Sequence, residues 1–344
     1  MRPVLHPALV NGRWGDPALY VETLFEKHVI LFDLGNIDAL SPRQIQRIEH
    51  IFVSHAHIDH FVGFDRLLRI LAGREKKIHL YGPAEFVDRV RHKLHAYQWN
   101  LVDRYVSDLI FIVTEIGSSF ETRTVSFRLK KAFAQDEIDQ GHAVDGVIYR
   151  EDAFRVSSAV LDHRTPCLAF ALEETAHVNV WKNRLADLVL PIGPWLRDLK
   201  HAVIENRPDD HPILVGSQSK TGFAREMPLG RLRNLYNVTP GQRIGYVTDV
   251  ADTQANRRAI IELVRGVDML FIEAVFAAED VALAAERAHL TTVAAGEIAR
   301  AAKVRRVEPF HFSPRYHGQE KRMRAEVEEA FTASDQSLAA AGFQ

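Results

Sequence analysis

The stretch FVSHAHIDHFVGFDR, Phe52–Arg66, places His55, His57, Asp59 and His60 within six positions, directly after a run of apolar residues. Residues two apart on an extended segment point the same way, so His55 and His57 face one metal ion together. Asp59 and His60 follow where the chain turns into a helix, and they face a second ion beside the first. A mixture of imidazole nitrogen and carboxylate oxygen suits zinc and similar cations. Two ions about 3.5–4 Å apart hold a bridging hydroxide and polarise a phosphoryl or carbonyl group. A single His at a strand end is usually a packed or solvated side chain. Four such side chains after a buried strand do not fit that account, because unpaired polar groups near a core are costly.

The rest of the composition narrows the chemistry. A chain of 344 residues buries a large core as one big α/β domain or two modest ones. The formal net charge of -2 argues against a wholesale polybasic nucleic-acid binder, though a local basic face fits inside a neutral total. The single cysteine, Cys167, excludes an internal disulfide framework and a thiolate-rich metal site. The N-terminus has no long apolar segment of the signal-peptide kind, and no apolar run approaches the roughly 20 residues that span a bilayer. The expectation is a soluble, cytoplasmic protein with no membrane partner.

Organisation follows from periodicity. LYVETLFEKH and VILFDLG read as a hairpin, SPRQIQRI as a short helix capped by Ser41, and HIFVS as a buried strand. Apolar positions at helical spacing resume over Phe61–Leu71, so the His/Asp cluster sits on a strand-to-helix connection. A short strand, a helix starting near Pro83 and extended segments through Phe170 come next. Residues 177–210 change texture, with two helical stretches broken by Pro191, Gly193 and Pro194, and read as an inserted arm. After the arm, RIGYVTD, a helix over about 254–265, VDMLFIEAVF, a helix over about 291–303 and RRVEPFHFS restore strand and helix in alternation. The expected architecture is α/β, a sandwich with chemistry on loops at the strand ends.

The HAHIDH segment matches the HxHxDH pattern of the metallo-β-lactamase superfamily, and later segments resemble its ribonuclease Z branch. LDHRTPCLAFALEE, GYVTDVADT, FIEAVF followed by HLTT, HFSPRY and LPIGPWLRDLK each resemble a ribonuclease Z segment, in the same order, from about Val29 to Tyr316. The resemblance implies one domain over residues 1–344, an αββα sandwich in which 177–210 is a helical arm and possible RNA exosite. It implies that His55, His57 and His163 bind one zinc, that Asp59, His60 and His311 bind the other, and that Asp249 bridges them. Manganese or iron are the alternative metals. Asp252 competes with Asp249 for the bridge, since both acids follow the strand-like RIGYV. The implied catalytic residues are His289, oriented by Glu273, and Asp59, which also binds metal. Ser313 and Arg315 are candidate phosphate contacts. The chain departs from the family at DLGNIDA, where DCGEGTQ is usual, and at Ile58, where Gly is usual; both changes touch the active-site rim.

The implied activity is that of a dinuclear zinc phosphodiesterase, an endonuclease cleaving precursor transfer RNA at its 3′ end with a metal-activated hydroxide, and the implied assembly is a homodimer. The arm holds Lys182, Arg184, Arg197, Lys200 and Arg207 against Asp187, Asp198, Glu205, Asp209 and Asp210, so charge alone does not mark it as RNA-binding. Hydrolysis of a small phosphodiester, ester or lactone on the same fold is the second reading. A binding module with a degenerate site is the third, and the complete ligand set weighs against it.

Overall fold

Phe32 and Phe52 pair across two parallel strands and both point to the space between the two sheets of one unit, while Leu31, Ile51 and Val53 point the other way, toward helices. This period-two alternation builds a layered sandwich. The computed structural model describes residues 5–23, 29–216 and 224–333. It contains two compact units, one made of 1–150, 155–172 and 243–344, the other of 151–154 and 173–242.

The larger unit holds an eight-stranded and a six-stranded sheet. Strands Leu19–Thr23 and Val29–Phe32 are antiparallel, as the hairpin reading expects; its turn residues 24–28 lie outside the described residues. Val29–Phe32, Ile48–Phe52, Lys76–Pro83 and Leu109–Ile116 then run parallel. In the second sheet Arg243–Val247, Met269–Glu273 and Val307–Phe310 are parallel and carry their C-terminal ends together. Helices Pro42–Arg47, Phe64–Leu71 and Phe86–His95 bury Ile45, Leu67 and Val90 against the first sheet. Helices Gln254–Leu263, Thr292–Ala301 and Glu320–Thr332 bury Ile260, Ile298 and Val327 in the core that covers the second. Between the sheets, Phe32 stacks on Phe52 and Tyr246, with ring centroids 5.4 and 5.6 Å away, and Phe170 meets both phenylalanines. Each such aromatic pair adds about 0.5–1.5 kcal/mol beyond its buried area.

Local sequence explains the element ends. Ser41 and Gln44 form a reciprocal capping box at the first helix, with Pro42 in its first turn. The strand at 76–83 runs through Pro83, so the following helix begins at Phe86, later than the sequence suggests. Gly35 and Gly63 permit a close approach of two backbone loops. A Cβ on Gly35 would lie 2.5 Å from the Asp59 carbonyl, and one on Gly63 would lie 2.2 Å from the Gly35 carbonyl. Backbone bonds from Leu34 to the His60 carbonyl and from Gly63 to the Leu34 carbonyl, both 2.9 Å, lock the two loops together.

The second unit contains the segment 177–210 and continues to Gln242. Helices Lys182–Asp187 and Trp195–Ile204 lie on either side of the Pro191–Pro194 break. Two-stranded ladders pair His177–Val180 with Tyr236–Thr239 and Pro212–Gly216 with Ala224–Pro228. Trp195, Leu199, Ile213 and Leu232 form its own small core.

Candidate metal centre

Strand ends in the larger unit supply every donor. His55, His57, Asp59 and His60 follow Ile48–Phe52; His163 follows Phe154–Asp162; Asp249 follows Arg243–Val247; Glu273 ends its strand; and His311 follows Val307–Phe310. His55, His57, His163 and Asp249 bring one donor atom each within 4.8 Å of one another, and so do Asp59, His60, Asp249 and His311. Asp249 belongs to both groups. A third group at the same spacing joins Asp249 to Glu273 and His289. Asp252 stands apart, its carboxylate taken by Arg257 at 2.5 and 2.9 Å.

Hydrogen bonds aim the rings inward. His60 Nδ1–H donates to Asp33 at 2.9 Å, and His163 Nδ1–H donates to the Ala288 carbonyl at 2.8 Å, so each presents Nε2 to the centre. His55 Nδ1 meets the Ser54 hydroxyl at 3.1 Å, which likewise leaves Nε2. Asn256 ties two strand ends together, donating to the carbonyls of Asp162 and Ala251 at 2.9 and 2.8 Å. His311 holds φ at 59°, a region costly for a residue with a side chain and characteristic of functional sites.

The electrostatics are those of a cation site. Burial, then the charge of His60, pushes His55 down to about 2. Burial opposes charge on His60 and His311 too, but the neighbouring carboxylates outweigh it. Asp249 and Asp33 hold His60 well above its ordinary value, and Asp249 with Asp59 takes His311 up to about 10. The same contacts, against burial, hold Asp249 and Asp59 well below the usual carboxylate range. Three buried donor atoms of the cluster, His55 Nε2, His60 Nε2 and His311 Nδ1, have no hydrogen-bond partner. A buried orphan of this kind calls for a partner, and imidazoles converging on a shared carboxylate fit a divalent cation. Cys167 lies against His55 at 3.7 Å, yet burial and then Asp249 push its thiol well up, so it stays neutral.

Asp33 is the feature that sequence reading missed. It has no exposed surface, and its carboxylate accepts bonds from the Ser54 backbone and hydroxyl, His60 and the Tyr246 hydroxyl, at 2.6, 2.9, 2.9 and 2.8 Å. The available signal was an acid closing the buried strand VILF beside the strand that carries the cluster. The DLGNIDA loop, read as a departure at the rim, therefore anchors the centre through its first residue.

A cleft of about 630 Å3 opens over these donors. His57, Asp59, His163, Asp249, His289 and His311 line it, and so do the candidate contacts Ser313 and Arg315. Ser313 caps its own turn, accepting the Arg315 N–H at 3.4 Å, and the Arg315 guanidinium lies 3.5 Å from Asp280. Ile58 is 79 % exposed between the two donor pairs.

Residues 31–150 match the family model described as a beta-lactamase superfamily domain. The fold is shared with the metallo-beta-lactamase fold protein YhfI from Bacillus subtilis, with a TM-score of 0.51 and 12 % identity over 95 % of each chain. Human tRNase Z, short form, gives the same TM-score of 0.51 at 17 % identity, covering 90 % of this chain and 91 % of its own. Fold and site together define a metallo-β-lactamase-type hydrolase. Ribonuclease Z of Deinococcus radiodurans is 30 % identical over 292 residues, 83 % of this chain and 83 % of its own. The chain belongs to the ribonuclease Z family.

Proposed function

We propose that this protein is a ribonuclease Z, an endonuclease that cleaves precursor transfer RNA at its 3′ end. One observation carries the reading: Asp249 is shared by two donor groups of the composition a dinuclear hydrolase needs, inside one cleft, in a member of this family. His55, His57, His163 and Asp249 would hold one ion, and Asp59, His60, His311 and Asp249 the other. Zinc suits this donor set, and manganese or iron are the alternatives. Bound there, such ions supply Lewis acidity toward water and toward the phosphoryl oxygens.

The chain's own residues do the rest. His289 Nδ1 is engaged by Glu273, so Nε2 is the atom free to work in the cleft. Burial opposes its charge, but Glu273 outweighs burial and raises its pKa, which favours the form protonated on both ring nitrogens. When water attacks phosphorus and the bond to the 3′ oxygen of the mature RNA breaks, His289 gives its Nε2 proton to the departing oxygen. Asp59, part-exposed in the same cleft, takes the proton of the incoming water in this reading. Ser313 and Arg315 hold the flanking phosphate.

The protein works as a cytoplasmic homodimer in this reading; no helix among the described residues is long and apolar enough to cross a membrane. Single-turnover cleavage of a 3′-extended transfer-RNA precursor, run beside a small phosphodiester, is the test. Cleavage at the mature 3′ end is expected. Hydrolysis of the small ester alone would move the function to a small-molecule hydrolase on the same centre.

A further inference from the structure

The cleft that holds the donors extends beyond them. Trp14, from the loop NGRWGD, lines it, and so do Leu283 and Arg287, four apart on the helix Val281–Arg287 and so on one face of it. Its volume of about 630 Å3 is that of a small-molecule ligand site and exceeds what two ions and one phosphate group fill.

Trp14 is held in place from several directions. A Cβ on Gly15 would come within 2.6 Å of Asn11, so the loop is a tight turn. Arg13, just before it, donates to Glu308 and to the Pro309 carbonyl, and its own carbonyl accepts the Phe312 N–H at 2.9 Å. The loop is thereby pinned to the strand end that carries His311. The indole N–H donates to Glu320 at 3.2 Å. Phe312 meets the ring edge-on at 5.2 Å and His317 lies over it at 5.9 Å, and His317 is not part of the cleft wall. Trp14 also packs against the core that covers the second sheet, and it lines the cleft. A rigid aromatic surface of this kind is a stacking platform for a nucleobase.

Arg287 supplies the matching charge. Its side chain is 66 % exposed, and its one ion pair among the described residues is with the adjacent Glu286 at 3.9 Å, an exposed contact worth little. The guanidinium is uncommitted, two residues before His289, in a cleft where the reacting group is a phosphodiester.

We propose that Trp14 and Arg287 form a nucleotide subsite, the indole stacking on a base next to the scissile phosphate and the guanidinium binding the phosphate beyond it. The subsite deepens the ribonuclease Z reading and rests on it for the identity of the substrate. It takes single-stranded nucleotides of any base, because stacking is sequence-tolerant.

Two measurements test it. First, a four-nucleotide RNA spanning the processing site is titrated into the metal-free protein while tryptophan emission is read; the difference between wild type and Trp14→Phe isolates Trp14 from the other three tryptophans. Quenching of the Trp14 component is expected, and Arg287→Gln should lower the slope of log affinity against log salt by about 1. Second, single-turnover cleavage is compared on intact precursor and on precursors with one abasic nucleotide at each position around the scissile bond. Trp14→Ala should slow the intact precursor roughly five- to hundredfold, Trp14→Phe should restore most of the rate, and one abasic position should erase the difference. Unchanged Trp14 emission, or a Trp14→Ala deficit equal on every abasic substrate, overturns the stacking. An unchanged salt slope in Arg287→Gln, an exposed position where folding is not at stake, overturns the phosphate contact. Wild-type protein that quenches with the oligonucleotide yet cleaves no precursor overturns the ribonuclease Z reading and leaves the subsite standing. Cleavage without quenching does the reverse.

Discussion

His289 Nδ1 lies 3.2 Å from Oε1 of Glu273, a carboxylate with no exposed surface that also accepts the Val250 N–H at 2.8 Å. The second bond fixes the carboxylate to the loop that carries Asp249, so the imidazole keeps a set distance from the donor cluster. His289→Ala should retain metal, because neither four-residue donor group includes it, and should lose roughly 10²–10⁴-fold in single-turnover rate. Glu273→Gln should lose less, since the amide still accepts the Val250 bond. Elemental analysis beside the cleavage rate checks both; loss of metal from His289→Ala would make it a ligand and end the proton-donor assignment.

Asp249 carries the opposite expectation. It alone belongs to both four-residue groups, so Asp249→Ala removes a donor from each and leaves His60 and His311 without their main counter-charge. Bound metal should fall below one ion per chain and cleavage should vanish. His60→Ala should weaken one site and spare the other. Metal titration of the purified variants separates the two cases, and full activity in a metal-free Asp249→Ala protein would refute the dinuclear centre.

Asp33 acts through others. Removing its side chain leaves the His60 Nδ1–H, the Tyr246 hydroxyl and the Ser54 N–H and hydroxyl without their buried acceptor. Asp33→Ala should cost about 3–5 kcal/mol in denaturant unfolding. Asp33→Asn, which keeps an acceptor, should cost less and lower metal affinity roughly 10–100-fold through the orientation of His60.

The contrast between Asp33 and Asp249 shows what a sequence carries. His55, His57, Asp59 and His60 were legible because six positions of chain place them on one strand end, whereas Asp249 was reached through the resemblance of GYVTDVADT to a family segment. Asp33 is in the cluster only through pairing of its strand with Ile48–Phe52, a register that no local pattern announces. Trp14 and Arg287 are further still from view, since residues 14, 283–287 and 311–315 meet in one cleft only after both sheets have formed. The strands and helices after the arm were legible from their alternation, whereas one ladder of the second unit joins segments about 60 residues apart, Asn179 with Asn237 among them.

Glu308 gives a pH-dependent component of stability. Burial pushes its carboxyl up, but Arg13 and Arg306 outweigh burial and hold it below its ordinary value of 4.5. The contribution is therefore fully present above about pH 4.5 and is lost as pH falls through the lower value of the folded state. Glu308→Gln should flatten the acid side of the stability profile below that pH and leave its slope at neutral pH unchanged. Chemical denaturation at a series of pH values reads this directly; equal acid slopes in variant and wild type would mean that the ion pairs contribute nothing.

The second unit is the remaining prediction. Its ends meet: the Glu174 N–H donates to the Gln242 carbonyl at 2.9 Å, the Gln242 N–H returns to the Glu174 carboxylate at 3.0 Å, and a Cβ on Gly241 would strike the Glu174 carbonyl at 2.0 Å. A short glycine-rich link from Glu174 to Gln242 can therefore replace residues 175–241 without stretching the chain. The larger unit owns every donor of the metal centre, so the shortened protein should bind its metal and hydrolyse a small phosphodiester at the full rate. If the unit grips transfer RNA away from the scissile bond, cleavage of the precursor should fall by about a hundredfold, because a second point of attachment then raises the effective concentration of the RNA at the cleft. The loss should appear in binding and not in the rate at saturating RNA. Equal loss on both substrates would mean that the unit supports the fold of the centre and holds no RNA.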